Sequence, residues 1–454
     1  MFKPDKKLRL RVLGAVVSVA AVAAALTGCS AASPSSSGSS GSLTYWSMWK
    51  QGEPQQVVLA KAIKGFTAKT GIKVDVQWAG RQVIQQVIPR LSAGNPPDLF
   101  DSAGSGITSA FANNDGLLGL QSVYNSTPYG EKEKISSIIS PTVSGLVKTK
   151  SGQPEIVPYE ITGTSLWYNQ LTVPQLAGKS SITWSQFMSI ADKQKDAGTP
   201  PIALDGDQAY YDAYWFVLDA IRHGGANVLV NLSKDKTGAA ADNPAILAAA
   251  KDIFPLTQGG YLPSDFNGTK WPAQEDAWAA GTSKTSFLAM GSWAPSETAS
   301  GLQKSGLDPA TTIQYGSVPY PTVSGGKGNS LAWIDDFGFA ISKKAKNAAN
   351  AEKFIEYFMA KKQLQGISSV ATNLTPRSDI PVPPDLADFA KEYQAAAKAG
   401  TLTNNPDAGI TNAQWSGQVL DQTVADLFNK KFSSPEAFVS ALKARTVTFL
   451  QTQG

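Results

Sequence analysis

The stretch from Leu43 to Phe100 alternates strand and helix signals in the order β-α-β-α-β, and few folds admit that order. Leu43 to Trp46 reads as a short apolar strand that breaks into the polar loop Ser47–Glu53. Pro54 then opens a helix at the one position where its missing N–H costs nothing. Leu59, Ile63 and Phe66 mark the buried face of that helix, and Gly71 ends it. Ile72, Val74, Val76 and Trp78 alternate with polar residues, the pattern of a half-buried strand. A second helix runs to about Ser92, and Pro96-Pro97-Asp98-Leu99-Phe100 leads into a third strand. Strands joined by helical crossovers build a largely parallel α/β sheet. Ligands on such sheets gather at the C-terminal ends of the strands, here the loops Ser47–Glu53 and Asp101–Gly106. Further on, Trp184 opens a helix carrying Phe187, Ile190 and Ala191. Helices also follow over 245–254, 351–360, about 418–429 and 435–448.

The segment ahead of this body has a different character. Lys3, Lys6, Lys7, Arg9 and Arg11 precede an apolar run from Val12 to Leu26. That run has the length of a secretory h-region and is short for a membrane span. It ends in Leu26-Thr27-Gly28-Cys29, which resembles the lipobox of bacterial lipoproteins. The resemblance implies cleavage of residues 1–28 and acylation of Cys29. Residues 30–42 are almost all Ser, Ala and Gly and read as a flexible tether.

Charge and composition exclude several functions. Residues 1–28 hold five Lys/Arg and one Asp, so the whole net charge of +4 belongs to the leader. The remaining chain is formally neutral and has no basic signature for nucleic acid. Cys29 is the only cysteine, so the folded body has no disulfide, zinc–thiolate site or cysteine nucleophile. The single histidine, His223, rules out multi-histidine metal sites and leaves little for His-dependent catalysis. It sits in Ile-Arg-His-Gly-Gly, a helix C-terminus, where an imidazole meets the dipole favourably.

Six blocks occur in an order that resembles the sugar-binding, maltose-binding-protein-like family 1 of extracellular solute-binding proteins of ABC importers. The first is Leu43–Trp46 with Thr70-Gly71-Ile72-Lys73-Val74, and the second is Ala93–Leu99. The third is Val157-Pro158-Tyr159 with Leu166–Asn169, and the fourth is Thr183-Trp184. The fifth is Phe287–Trp293, and the sixth is Gly338–Lys343 with Ala351–Ile355. The resemblance implies a two-lobe α/β, periplasmic-binding-protein-like fold with an inter-lobe hinge and a ligand cleft. One lobe is expected over 43–158 plus 317–367 and the other over 159–316 plus 368–454. Crossings are expected near Tyr159–Gly163, Tyr315–Gly316 and Gly366–Val370. The implied function is capture of a sugar and delivery to a membrane permease. The receptor would be monomeric, lipid-anchored and extracytoplasmic, with no cofactor and no catalysis. The alternatives are the same fold binding a peptide, polyamine or other non-sugar solute, or a lipid-anchored glycosidase using two carboxylates.

A sugar offers apolar C–H faces and a rim of hydroxyls. Aromatic rings suit the faces, and carboxylates that accept charge-assisted bonds suit the rim. The 11 tryptophans, several in loops beside carboxylates, fit that demand. Trp49 and Glu53 lie in the first strand's exit loop, and Asp101 follows the third strand. Tyr159, Glu160 and Thr162 lie in the hinge segment. There the resemblance would put an acidic residue at Thr162, and Glu160 is the candidate substitute. Asp207 and Tyr211 start a helix in the second lobe. Trp293 follows Gly291-Ser292, where the family places a stacking tryptophan. The resemblance would put Trp333, Asp335 and Asp336 in a loop that is Gly-rich in many relatives, and Arg377, after Pro376, at a position near the expected cleft. Asp98 reads as a structural hydrogen-bonding residue, and Trp46 and Trp215 as core.

Overall fold

The computed structural model describes residues 41–111, 115–146 and 152–453. The leader, the tether up to Ser40 and the Cys29 lipidation position lie outside the described residues. Among the described residues, no helix is long and apolar enough to cross a membrane.

Strand β1 (Ser42–Ser47) pairs in parallel with β2 (Lys73–Trp78) and with β3 (Leu99–Ala103). Helix α1 (Pro54–Thr70) joins the first pair, and Gly71 closes it at φ 74. Only glycine takes that left-handed turn without strain. Helix α2 (Val83–Ser92) leads towards β3. The third strand starts at Leu99 as expected but runs past Phe100 to Ala103, because its ladder with the partner strand continues through Asp101 and Ser102. Asp101 therefore lies inside β3, opposite Phe339, and not in a loop. Asp98 has the structural role expected of it. It accepts from Thr44 N (3.0 Å), Thr44 Oγ1 (2.8 Å), Asn347 N (2.8 Å) and Asn347 Nδ2 (3.2 Å), binding β1 to a distant loop.

The organising strand is β4 (Val157–Asn169), thirteen residues and buried throughout. Its first half pairs with β8 (Ala332–Ile341) from Val157 to Gly163. Its second half pairs with β6 (Phe287–Gly291) from Thr164 and with β7 (Tyr315–Val318) from Leu166. The strand order is β2-β1-β3-β8-β4-β6-β5, with β5 (Ile202–Ala203) at one end, β7 added on β4 and β9 (Leu402–Thr403) on β8. Gly163 marks the change of partners. A Cβ there would stand 2.6 Å from the Ile334 side chain and 2.7 Å from the Trp333 carbonyl, so the junction needs the bare backbone.

Tyr315–Gly316, expected at a crossing, pairs with Tyr168 and Asn169 in the second half of β4. The following loop stays on that side. Buried Arg222 donates to the carbonyls of Tyr320 (3.0 Å), Gly328 (2.9 Å) and Leu331 (2.6 Å). Pairing with β4's first half begins within β8, at Ile334, and Leu374 later bridges to Ile161.

Candidate functional site

The exit loop of β1 is fastened to the first half of β4 by a buried chain of hydrogen bonds. Trp49 Nε1 donates to the Tyr159 hydroxyl (2.7 Å), which donates to Asp101 Oδ2 (2.6 Å). Tyr45 donates to the other Asp101 oxygen (2.8 Å). Burial pushes the Asp101 carboxyl up, hydrogen bonds from Tyr159, Ser47 and Tyr45 pull it back, and it settles at about 6. Trp49 is 4% exposed and Tyr159 and Asp101 are wholly buried, so these three are brought together as a brace behind the surface.

At the surface of this brace stands Arg81, just beyond the end of β2. Its guanidinium lies 4.7 Å over the Trp49 ring, forks onto Glu53 with two 2.9 Å bonds, and donates to the Met48 carbonyl. Arg81 and Glu53 are both partly exposed. Glu160 is fully buried. Oε1 accepts from Gln55 Nε2 (3.2 Å), while Oε2 has no hydrogen-bond partner. Burial pushes its carboxyl up to about 8.

The start of β8 supplies a second wall. Asp335 faces Thr162 across the ladder and Asp336 faces Ile161. Asp335 therefore places a carboxylate opposite the position where β4 carries only threonine. It accepts from Ser105 N (3.1 Å), Asp336 N (2.9 Å) and the Ser105 hydroxyl. Ser105 belongs to the first turn of α3 (Gly104–Phe111). Burial raises both acids, and the Asp335 charge raises Asp336 further. Half-buried Trp333 meets Tyr214 edge-on at 5.3 Å.

The third wall comes from the far side of β4. Helices of seven residues or more between α3 and this point are α4 (Trp184–Asp196) and α5 (Ala209–Gly224), followed by α6 (Pro244–Gln258), α7 (Ala273–Ala279) and α8 (Ala294–Lys304). The α5 N-terminus carries Tyr210, Tyr211 and Tyr214 in mutual ring contact. Tyr211 is 2% exposed, and the ring that reaches the surface is Tyr210, at 42%. Asp207 accepts from Trp271 N (3.0 Å) and Gln208 Nε2 (3.0 Å) and so fixes the loop that presents Trp271, which is 41% exposed. Trp293 caps the start of α8 with its half-buried ring laid over Gly291. A Cβ at Gly291 would come within 2.3 Å of that ring. Glu275 is fully buried with neither oxygen hydrogen-bonded, and Glu297 Oε2 is likewise unpartnered. Burial raises both carboxyls. The charge of Arg81 pulls Glu297 back down and that of Glu53 pushes it up, so α8 and the β1–β2 loops feel one another.

Residues 51–365 match the family profile described as bacterial extracellular solute-binding protein. The chain belongs to that family. It is 23% identical over 325 residues to the diacetylchitobiose binding protein NgcE of Streptomyces coelicolor. The match covers 70% of this chain and 64% of that relative, just under two thirds of its length. Among solved structures, the bacterial solute receptor AcbH superposes with a TM-score of 0.73 at 17% identity, covering 91% of this chain and 100% of its own. A chain solved in work on xylan utilization by Caldanaerobius polysaccharolyticus gives 0.70 at 21% identity, covering 89% and 99%. At these identities the likeness speaks for the fold: α/β, two lobes, a hinge and a cleft between them.

Within this solute-binding fold the candidates separate. Glu53, Trp293, Trp333 and Asp335 stand at least partly open. Asp207 fixes a loop, and Trp49, Asp101, Tyr159 and Tyr211 lie behind the surface. Thr162 and Glu160 are buried in the β4 ladder. Arg377 is spent elsewhere: on Asp379 (2.9 Å twice), Glu131 (2.8 Å) and the Met359 carbonyl (3.0 Å), with none of the other candidates among these partners. Arg81, Tyr210, Glu275 and Glu297 were not foreseen. Arg81 had a signal, since the exit loop of β2 is a strand C-terminal end like the loops after β1 and β3. The two glutamates had none, because only the fold carries α7 and α8 to this wall.

Proposed function

We propose that this chain is the sugar-capturing receptor of an ABC importer, taking a mono- or oligosaccharide between two lobes and delivering it to a membrane permease. The observation that carries the reading is the mixture on the three walls around β4. Part-exposed rings (Trp271, Trp293, Trp333, Tyr210) stand beside carboxylates (Glu53, Asp207, Glu297, Asp335), apolar platforms next to acceptors for hydroxyls. The names of NgcE and AcbH, a diacetylchitobiose binder and a receptor for β-D-galactopyranose, are in keeping with it. The chemistry is binding without catalysis, and the receptor acts as a monomer.

The lobes divide in this proposal where β4 changes partners, near Gly163. The second crossing runs through the start of β8, and the third follows α10 (Lys361–Ser369, after α9, Ala348–Phe358). Support comes from the β7 pairing and the Arg222 anchors. Cleavage before Cys29, acylation of its thiol and the Ser-rich arm would hold the receptor at the outer face of the membrane. A stable anchor needs more than one acyl chain.

Calorimetric titration of the chain against galactose, xylo-oligosaccharides and N-acetylglucosamine oligomers tests the reading. Saturable binding of at least one sugar is expected, and none with any sugar tried would overturn it. A second reading, a cationic solute such as a polyamine, is favoured by the unpartnered Glu275 and Glu297 oxygens. A spermidine arm of the same titration separates the two.

A further inference from the structure

Away from the cleft walls, at the opposite end of α5, three side chains converge. Asp219 and His223 are one helical turn apart and so share a face. Asp252 reaches them from α6, which packs on α5. His223 Nε2 stands 2.8 Å from Asp252 Oδ2 and 3.4 Å from Asp219 Oδ2. Ligand atoms of all three lie within 4.8 Å of one another. Asp219 is completely buried, and neither of its oxygens accepts a hydrogen bond. The His223 ring at 3.4 Å is its ion-pair partner, and a buried carboxylate so loosely bonded is expensive unless a cation meets it more closely. The His223 and Asp252 side chains are 19% and 28% exposed, which leaves an approach from solvent.

We propose that Asp219, His223 and Asp252 form a divalent transition-metal site, of the zinc type, on the second lobe. One imidazole nitrogen and two carboxylate oxygens are a borderline donor set suited to zinc, with water in a fourth position. Bonds of about 2.0–2.2 Å to a tetrahedral ion put ligand atoms roughly 3.3–3.5 Å apart, against 3.4 Å from His223 to Asp219 and 2.8 Å to Asp252, so Asp252 would move back slightly to admit the ion. The ion would replace the proton that otherwise sits between His223 Nε2 and the acids, and the dication would neutralise both carboxylates. The single histidine excludes multi-histidine sites and leaves this one open. The consequence is mechanical. His223 and Arg222 carbonyls accept from Lys327 N (3.3 Å) and Gly328 N (3.0 Å), so a metal joining α5 to α6 would also steady the loop that feeds β8.

The test uses the tag-free full chain in a Cys29→Ser background, which removes the lone thiol, with zinc alone as probe. Equilibrium dialysis with elemental analysis should give one zinc per chain. His223→Ala and Asp252→Asn should each weaken it at least tenfold. Zinc should raise the melting temperature of the parent and not of the variants, and cobalt should give a visible d–d spectrum lost in both. Should His223→Ala fail to fold, the partly exposed Asp252→Asn carries the decision alone. Absence of stoichiometric zinc, or uptake untouched by the variants, overturns the proposal. No sugar enters this assay, so its outcome is independent of the receptor reading.

Discussion

Replacing Glu160 by glutamine should make the protein more stable at neutral pH and have little effect in acid. Glu160 is fully buried in β4, with one oxygen bonded to Gln55 and the other unpartnered. Burial lifts its carboxyl from the ordinary 4.5 to about 8. The fold thus favours the protonated form, whereas the unfolded chain ionises from about pH 4.5 upward. By linkage, stability from this group is fully present below the unfolded value and is lost as pH rises towards 8. Each unit of difference is about 1.4 kcal/mol, so wild type gives up on the order of 4 kcal/mol between pH 4.5 and 7.5. Glutamine keeps the shape and the bond to Gln55 without the titration, and should recover most of that loss. A melting-temperature shift of about 2–4 °C per kcal/mol applies to domains of 150–250 residues and shrinks with size. The expected gain is therefore on the order of 5 °C at pH 7.5, falling to near nothing at pH 4.5. Differential scanning calorimetry of both proteins from pH 4.5 to 8 reads it directly. A difference that does not vary with pH, or a variant less stable at pH 7.5, would refute the reasoning. Asp101, lifted to about 6, contributes in the same direction over a lower window.

Other outcomes follow from the same geometry. Tyr159→Phe strands Trp49 Nε1 and one Asp101 oxygen and should cost about 2–4 kcal/mol in chemical unfolding; an unchanged midpoint would show the brace contributes nothing. Trp293→Ala, and Gly291→Ala, which pushes a Cβ into the same ring, should each weaken sugar binding roughly tenfold, or about 1.4 kcal/mol. Unaltered affinity with an intact circular dichroism spectrum would take Trp293 out of the site. Small-angle scattering should show a smaller radius of gyration with sugar than without, and equal radii would count against closure. Cys29→Ala should release the receptor from the membrane fraction with sugar affinity intact, and retention would refute lipid anchoring.

What the sequence revealed was what local periodicity controls. Pro54 and Gly71 bound α1 because each imposes its own backbone geometry. Val74 and Val76 alternate because the strand buries one face. Asp98 stood out as structural because an acid between Pro97 and an apolar strand has backbone donors within reach. Long-range pairing was invisible. Pairing with β8 carried β3 past Phe100 to Ala103, which moved Asp101 from a loop into the sheet. A step of about 100° per helical residue separates exposed Tyr210 from buried Tyr211, and no local cue says which phase faces outward. Arg377 looked like a cleft residue in the chain order. Its real partners, Glu131 and Asp379, come from 246 residues upstream and two downstream.

The proposed division at β4 gives the cleft a place to bend. From Val157 to Gly163 it pairs with β8, with a register shift at Tyr159, and beyond that it pairs with β6 from Thr164 and β7 from Leu166. In the proposed division, a bend at Gly163 would tilt one ladder against the other while each kept its own hydrogen bonds, so that motion would cost little backbone bonding. Beside the same junction stands part-exposed Asp335, whose carboxyl burial lifts to about 6. Burial favours its protonated form. A ligand that supplies hydroxyl donors there favours its charged form instead. Sugar binding beside Asp335 should then release protons, which calorimetry in buffers of different ionisation enthalpy detects. Equal heats in all buffers would place the ligand away from this acid.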